Sequence, residues 1–449
     1  MNLSRMLAAR AAAGRPITVG VVGAGKFGAM FLALAARSPG IHVAAIADLS
    51  PERARANLSR IGWAAERSAA RDLDEALADR STFLTEDAAR LNDPRIEVVV
   101  ESTGLPLPGI RHALAAIAAG QHVVMVNVEA DVLVGPALAA RAAAAGVVYS
   151  MAYGDQPALV CEMVDTIRAM GLPVVAAGKG TKFLPAFHDS TPETVWGHYG
   201  LSPEAAALGG MNPQMFNSFL DGTKSAIEMA AIANATGLDV PEDGLLFPPC
   251  GVHDLPHVLR PRQVGGILPR SGMVEVVSSL ERDARPVASD LRWGVYAVFE
   301  GETDYIRRCF GEYGVHTDGT GRYAALWRPY HLIGLELGVS VASVALRGEP
   351  TGCAEAWRGD VAATAKRDLR AGEMLDGEGG AMAWGKCIPA ARSLAEDVLP
   401  IGLAHGVRLL RDIKRGAMLR QSDVALDAGN AAAPLRAEMA EGLRGRAAA

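Results

Sequence analysis

The chain has 449 residues, 50% of them hydrophobic, with a formal net charge of −6 and a pI near 6.0. That length supplies a large core divided between two or three domains, and the acidic balance offers no basic field for nucleic acid or an anionic membrane, so a small molecule is the expected partner. The 5 cysteines form no CxxC pair and their odd number argues against a disulfide framework, which predicts reduced thiols and a cytoplasmic protein.

The first fourteen residues are rich in Arg and Ala and free of acids, in the manner of a transit peptide. They lack the apolar core of a secretory signal and run directly into a strand, so they read as a short amphipathic helix. No uninterrupted apolar run reaches membrane-spanning length. The segment from Ile17 to Gly28 then places a glycine-rich turn between a β-branched strand and an apolar helix, the setting that a dinucleotide pyrophosphate needs. Gly23 permits the turn, Gly25 lets the backbone approach the phosphates, and Gly28 allows close helix packing. Lys26 and Phe27 open the helix whose N–H groups and dipole face them. The next strand, from Ile41, ends in Asp48, about twenty residues beyond the last glycine, where a carboxylate accepts from a ribose hydroxyl. Asp48 favours NAD over NADP, whose 2′-phosphate it would repel, although Arg53 and Arg55 just downstream leave NADP open.

Strand-like runs alternate with Ala-rich helices up to about residue 150: Ile17 to Val22, Val43 to Ala47, Val98 to Glu101, His122 to Val126 and Gly146 to Ser150. This alternation predicts an α/β domain with a doubly wound parallel sheet. Ser102, Thr103 and Gly104 follow one strand at the expected carboxyl edge. They read either as nicotinamide or ribose contacts or as plain turn chemistry. Asn127, Glu129 and Asp131 cluster after the next strand at that edge, as further candidate contacts to cofactor or substrate.

From about residue 155 the pattern becomes less regular and a second domain begins. Asp155 and Glu162 fall where the two domains are expected to meet, as ligands for substrate hydroxyls or a divalent metal, or, for Asp155, as a helix N-terminal acid. Cys161 reads as packed rather than reactive. The run from Pro173 to Lys182 looks like a strand delivering Lys179, between Gly178 and Gly180, into a loop. A cation there would stabilise the alkoxide of a reduced carbonyl and supply its proton, with Lys182 the second candidate and a plain loop lysine the alternative. Asp221 reads as the N-cap of a helix ending at Gly237. Lys224 and Glu228 fall on one face of that helix, either as a surface ion pair or, because its neighbours are small and apolar, as partly buried groups of a site. Asn234 closes the same segment, and His331 either orients substrate or packs against backbone. Pro256 breaks the helix that a metal pair of His253 and His257 would require. Near residue 355 a weak two-copy repeat begins, around Asp368 with Gly372 and Asp412 with Gly416, predicting a small module of turns and short strands. The Ala-rich tail beyond about Ala428 reads as a frayed helix.

Taken together, these motifs resemble the homoserine dehydrogenase-like oxidoreductases that carry a C-terminal SAF module, and within them the DXP reductoisomerase-like (DRL) enzymes. The resemblance rests on the glycine turn, Asn127 to Asp131, Gly154-Asp155 with Pro157, Gly178 to Gly180, Asp221 to Gly237 and Arg328 to Leu332. It implies a Rossmann domain at 14–153, a central α+β substrate and dimerisation domain at 154–350, a β-clip SAF module at 355–430, and a homodimer. Characterised DRL enzymes convert 1-deoxy-D-xylulose 5-phosphate to 2-C-methyl-D-erythritol 4-phosphate with NADPH. The homoserine dehydrogenases carry out a plain semialdehyde–alcohol interconversion, with a lysine and an aspartate in the substrate site. Lys179, Lys224, Asp221 and Glu228 match in type, although the Asp-to-Lys interval is three here, where homoserine dehydrogenases commonly show four. NADPH-using DRL members carry basic residues after the second strand, whereas this chain has Ala47-Asp48-Leu49-Ser50. The expected function is hydride transfer between NAD(P) and a small polyhydroxylated carbonyl, alcohol or sugar phosphate in the interdomain cleft, with Lys179 or Lys224 protonating and Asp221, Glu228 and His331 positioning hydroxyls. The competing expectations are a homoserine-type dehydrogenase without isomerisation and a non-catalytic protein that binds NAD(H) and a sugar.

Overall fold

The β-branched runs of the N-terminal region fold into six strands, β1 (Ile17–Val22), β2 (Ile41–Ala47), β3 (Phe83–Thr85), β4 (Val98–Glu101), β5 (His122–Met125) and β6 (Tyr149–Met151). The structure, a computed structural model, describes residues 2–208, 211–427 and 429–448. The chain divides into two units: Met1–Leu159 with Leu332–Glu355 and Asn430–Gly442, and Val160–His331 with Ala356–Gly429 and Leu443–Ala449. Among the described residues no helix is long and apolar enough to cross a membrane.

In the first unit all six strands are parallel, in the order β3-β2-β1-β4-β5-β6. Helices cover such a sheet on both faces, which is why the strands read as continuous apolar runs rather than alternating ones. Val19, Val21, Val43, Ile46 and Val100 share one core with Phe31 and Leu32 of helix Lys26–Ala35 and with Val341 and Val344 of helix Gly338–Arg347. The strand order reverses between β1 and β4, so the loops beyond their carboxyl ends border the crevice in which such sheets bind ligands. The three-residue strand β3 is too short to stand out in the sequence, and the strand expected from Gly146 begins only at Tyr149. The tail is not frayed where it belongs to this unit. Helix Ala432–Ala448 buries Leu435 and Met439, spaced along one helical stripe, and Arg436 donates to the Leu133 carbonyl oxygen at 3.2 Å.

In the second unit β7 (Val174–Thr181), β8 (Met273–Ser278), β9 (Val295–Glu300), β10 (His316–Thr317) and β11 (Tyr323–Arg328) form a mixed sheet in the order β10-β11-β9-β7-β8, with β7 parallel to β8 and antiparallel to β9. Helix Thr223–Thr236 packs on β7 and β8 and is buried almost all round, as its small apolar sequence requires. Its N-cap is Gly222, not Asp221. Gly222 has φ +90, while Asp221 accepts the Thr223 N–H at 2.8 Å from one position earlier. Gly237 ends the helix with φ +72, as expected.

The repeat near the C-terminus builds two small antiparallel sheets, β12 (Gly359–Ala365) with β14 (Ala383–Pro389) and β13 (Met374–Asp376) with β15 (His405–Arg408). Its two copies hold each other reciprocally. Leu369 and Ile413 exchange backbone hydrogen bonds at 2.8 and 3.0 Å. Asp368 accepts from Lys414 and the Arg415 N–H, while Asp412 accepts from Arg370 and the Ala371 N–H. Gly372 donates to Leu409 as Gly416 donates to Ala365, each glycine at positive φ. The repeated Asp and Gly are therefore the corners of a local pseudo-two-fold.

Candidate active site

In the first unit the glycine turn is fixed by steric necessity. Gly23 has φ +93, and a Cβ on Gly28 would lie 2.2 Å from the Gly23 carbonyl oxygen, so any side chain there would push the helix off the turn. Gly25 caps helix Lys26–Ala35 without a side chain, a Cβ on it would meet nothing within 4 Å, and no acid stands in the first helical turn. A pyrophosphate fits there, because the helix N-terminus has neither a capping side chain nor a carboxylate to compete with it. Ser102 lends its hydroxyl to the Gly23 carbonyl oxygen at 2.8 Å, which ties the loop after β4 to the turn. Thr103 donates to Glu101 at 2.6 Å, and Gly104 has φ +71. Asn127 caps helix Val128–Ala144, accepting the Ala130 N–H at 3.1 Å and donating to the Leu105 carbonyl oxygen at 2.9 Å. These side chains shape the carboxyl edge of the sheet. Glu129 lies in the first turn of that helix, and Asp131 is buried against the Tyr149 hydroxyl at 2.9 Å.

Asp48 accepts the Ala24 N–H at 3.0 Å with one oxygen, and the Ser50 N–H and the Arg53 guanidinium, both at 3.0 Å, with the other. Burial alone would raise its carboxyl, but these hydrogen bonds outweigh it and hold the group below the ordinary aspartate range. It is thus an ionised acceptor bonded directly to the glycine turn. Arg53, the alternative partner for a 2′-phosphate, is paired with Asp48.

In the second unit Lys179 does not reach a loop. It sits inside β7, 6% exposed, and its ammonium is bonded to the Glu228 carboxylate of helix Thr223–Thr236. The flanking glycines serve close approach rather than loop freedom. A Cβ on Gly178 or on Gly180 would lie 1.9 Å from the Glu275 or Leu291 carbonyl oxygen respectively. Glu228 also draws a partner that helical spacing does not reveal, Lys179, forty-nine residues earlier. Lys224 is half-buried one turn before Glu228.

Asp221 is fully buried and paired with Lys366 at 2.8 Å. Lys366 also donates to the Ser190 and Gly380 carbonyl oxygens at 2.7 and 2.6 Å, so all three of its donors are used. Burial pushes the Asp221 carboxyl up, and Lys366 and Thr223 offset part of that rise. His188 Nδ1 lies 2.7 Å from the Asp221 carbonyl oxygen. A carbonyl only accepts, so the neutral ring carries its hydrogen on Nδ1 and presents Nε2 as an acceptor. The ring stacks on Trp384 at 3.8 Å and tilts against Phe183 at 5.0 Å. Burial keeps it below the usual histidine range. Phe247 stacks on Phe183 at 4.0 Å with φ +48, held by the Glu275 carboxylate, which accepts the Leu246 and Phe247 N–H groups. Lys366, His188, Trp384 and Glu275 escape a motif search because each is set by a partner from a distant segment.

The remaining candidates are placed as follows. Lys182 donates to the His198 carbonyl oxygen at 2.6 Å. Asn234 is buried and accepts the Arg358 and Gly359 N–H groups at 2.7 and 2.9 Å, anchoring the start of β12. His331 Nδ1 contacts the Trp293 carbonyl oxygen at 2.8 Å. Asp155 is buried and accepts the Gln156 N–H at 3.0 Å, while Glu162 is on the exposed side of helix Gln156–Ala169. His253 Nδ1 stands 3.1 Å from His316 Nε2 rather than meeting His257. Among the described residues no group of three or more His, Cys, Asp or Glu is arranged to hold a metal ion, so the divalent metal considered from the sequence has no support.

Residues 154–337 match the family model described as "Oxidoreductase DRL, catalytic domain", and residues 17–127 match "Oxidoreductase family, NAD-binding Rossmann fold". The chain is an oxidoreductase with a DRL catalytic domain. Its Rossmann domain binds NAD(P), and the two domains together make it an NAD(P)-dependent oxidoreductase. Among solved structures it is similar to a homoserine dehydrogenase from Thiobacillus denitrificans, at 17% identity over 74% of this chain and 74% of that one, with a TM-score of 0.43. It is also similar to a DOX-P reductoisomerase solved with magnesium, at 17% identity over 47% of this chain and 56% of that one, with a TM-score of 0.31. A levoglucosan dehydrogenase solved with NADH and levoglucosan is 14% identical over 64% of each chain, with a TM-score of 0.31. No curated protein sequence matches.

Proposed function

We propose that this oxidoreductase acts on a small polyhydroxylated alcohol or its carbonyl form, free or phosphorylated, and prefers NAD(H). The observation that carries the reading is the buried Lys179–Glu228 pair inside the DRL catalytic domain. Taking two opposite charges out of water costs several kcal/mol in effective terms, so such a pair reads as an acid–base element rather than as a device for stability. Bound nicotinamide supplies or accepts the hydride. Lys179 Nζ stabilises the negative charge that develops on the substrate oxygen and holds the proton which that oxygen takes, while Glu228 keeps the ammonium oriented. In the reverse direction the same nitrogen receives the hydroxyl proton. His188 Nε2 supplies an acceptor for a substrate hydroxyl.

The preference for NAD rests on Asp48, an ionised acceptor at the end of β2 whose bonding to Arg53 opposes a 2′-phosphate. DRL-type reductoisomerase chemistry on 1-deoxy-D-xylulose 5-phosphate is the finer form of the proposal, and a plain homoserine-type dehydrogenation is its alternative. The pseudo-symmetric pair of β-sheets after residue 355 supports reading that region as an SAF-like module, with the three-domain division at 14–153, 154–350 and 355–430 and a homodimer as parts of the same proposal. Fluorescence titration with NADH and NADPH, followed by a cofactor-absorbance screen of polyols, hydroxy acids and sugar phosphates with product identification, tests it. Tighter NADPH binding would remove the cofactor preference, and an unrearranged product would remove the isomerisation.

A further inference from the structure

Lys182, just past β7, and Arg292, just before β9, are two cations that form no ion pair among the described residues. Lys182 Nζ stands 5.6 Å from the centre of the Tyr199 ring, and the Arg292 guanidinium stands 5.9 Å from the same ring and 4.7 Å from that of Trp293. Among the described residues no carboxylate lies within ion-pair distance of either. The acid nearest in sequence, Asp290, accepts the backbone N–H of Arg292 at 2.8 Å and forms no ion pair with its guanidinium. Burial, and then the charge of Arg292, hold the Lys182 ammonium below the usual lysine range. In a chain of net charge −6, two like charges drawn to one ring with no acid between them concentrate a positive field that an anion relieves.

Lys182 follows Lys179 by three residues, and local packing brings Arg292 to the same stretch of chain. Gly180 donates its N–H to the Gly294 carbonyl oxygen at 3.0 Å, and its missing Cβ lets the Leu291–Arg292 backbone close on β7 two residues before Lys182. Helix Val195–Tyr199, which supplies the His198 carbonyl and the Tyr199 ring, packs on helix Pro213–Leu220, and that helix packs on the one carrying Glu228. We propose that Lys182 and Arg292, set against Tyr199, clamp an oxyanion, either phosphate or carboxylate, at one end of the substrate. A planar guanidinium reads two oxygens at once and the ammonium adds a point charge, the combination that such a group calls for. The clamp's place in the substrate site rests on the function proposed above; its capacity to bind an anion does not.

Calorimetric titration of the full chain with inorganic phosphate, sulfate and acetate, at low ionic strength where charge is least screened, tests the clamp. Phosphate is expected to bind, and Arg292→Gln and Lys182→Gln each to weaken it about tenfold, roughly 1.4 kcal/mol, with NADH affinity unchanged in both variants. Preference for phosphate and sulfate over acetate assigns a phosphate ester, and equal binding of acetate assigns a carboxylic acid. Binding that survives both substitutions is an adventitious ion only and overturns the proposal, as does the failure of all three anions to bind. Intact phosphate binding in a protein that fails to bind NADH would sink the functional reading and leave the anion site standing.

Discussion

The dinucleotide cradle and the charged cluster of the catalytic domain are built by different means. The cradle is made of backbone: a turn at positive φ, a helix N-terminus and glycines whose missing Cβ atoms let chain segments touch, all within one βα unit. The cluster is made of side chains brought together from afar. Glu228 meets Lys179 across forty-nine residues, and Lys366 meets Asp221 across 145. Local sequence therefore specifies the first site almost completely and the second hardly at all, and the two should respond to substitution in opposite ways.

Gly28→Val tests the backbone half of that contrast and carries the largest expected effect. With the Gly23 carbonyl only 2.2 Å from the added Cβ, NADH fluorescence enhancement should disappear while the melting profile of the second unit persists; retained NADH binding would show that the cradle tolerates what its geometry forbids. Lys366→Met tests the side-chain half. It leaves the fully buried Asp221 carboxylate without its partner, and chemical denaturation should show a loss of about 3–5 kcal/mol, whereas an unchanged midpoint would mean that the ion pair holds nothing together.

Smaller effects sharpen the comparison. Asp48→Ser removes the acceptor that favours NAD, and the ratio of NADPH to NADH affinity should rise about tenfold, roughly 1.4 kcal/mol, with Arg53 released for a 2′-phosphate. The slightest is a pH effect. Burial raises the Asp131 carboxyl from 3.8 to about 7, the Tyr149 hydrogen bond offsetting part of the rise. The fold thus prefers its neutral form, so its contribution to stability is complete below pH 3.8 and is lost as pH rises through about 7. Glu275, raised by burial to about 7, acts in the same direction. The melting temperature should fall across that range, and Asp131→Asn, neutral throughout, should flatten the slope.

The sheet of the first unit was legible because its helices bury both faces, leaving uniform apolar strands between turn residues; β3 escaped because three residues carry no period. The two-copy repeat was legible as a pattern, but its meaning, reciprocal Asp corners, required both copies in space. Gly178 and Gly180 were visible as a pair and pointed to a loop, whereas they serve close approach within a strand, a distinction that depends on Glu275 and Leu291 far along the chain. Asp221 fits the N-cap preference of its residue type, yet the left-handed Gly222 takes that position and frees the carboxylate for Lys366. Arg292, His188 and Lys366 escaped because Tyr199, the Asp221 carbonyl oxygen and the Asp221 carboxylate, against which they are respectively set, lie far along the chain.

The central claim is that Lys179, held by Glu228, handles the proton of the hydride-transfer reaction. It is tested most directly by comparing wild type and Lys179→Met in one cofactor-absorbance assay, on whichever alcohol or sugar phosphate the wild type oxidises or forms, with NADH affinity measured on the same samples. The expected result is unchanged NADH binding with turnover lowered by about 10²–10⁴, the usual contribution of a positioned acid or base. Turnover equal to wild type in the variant would contradict the account.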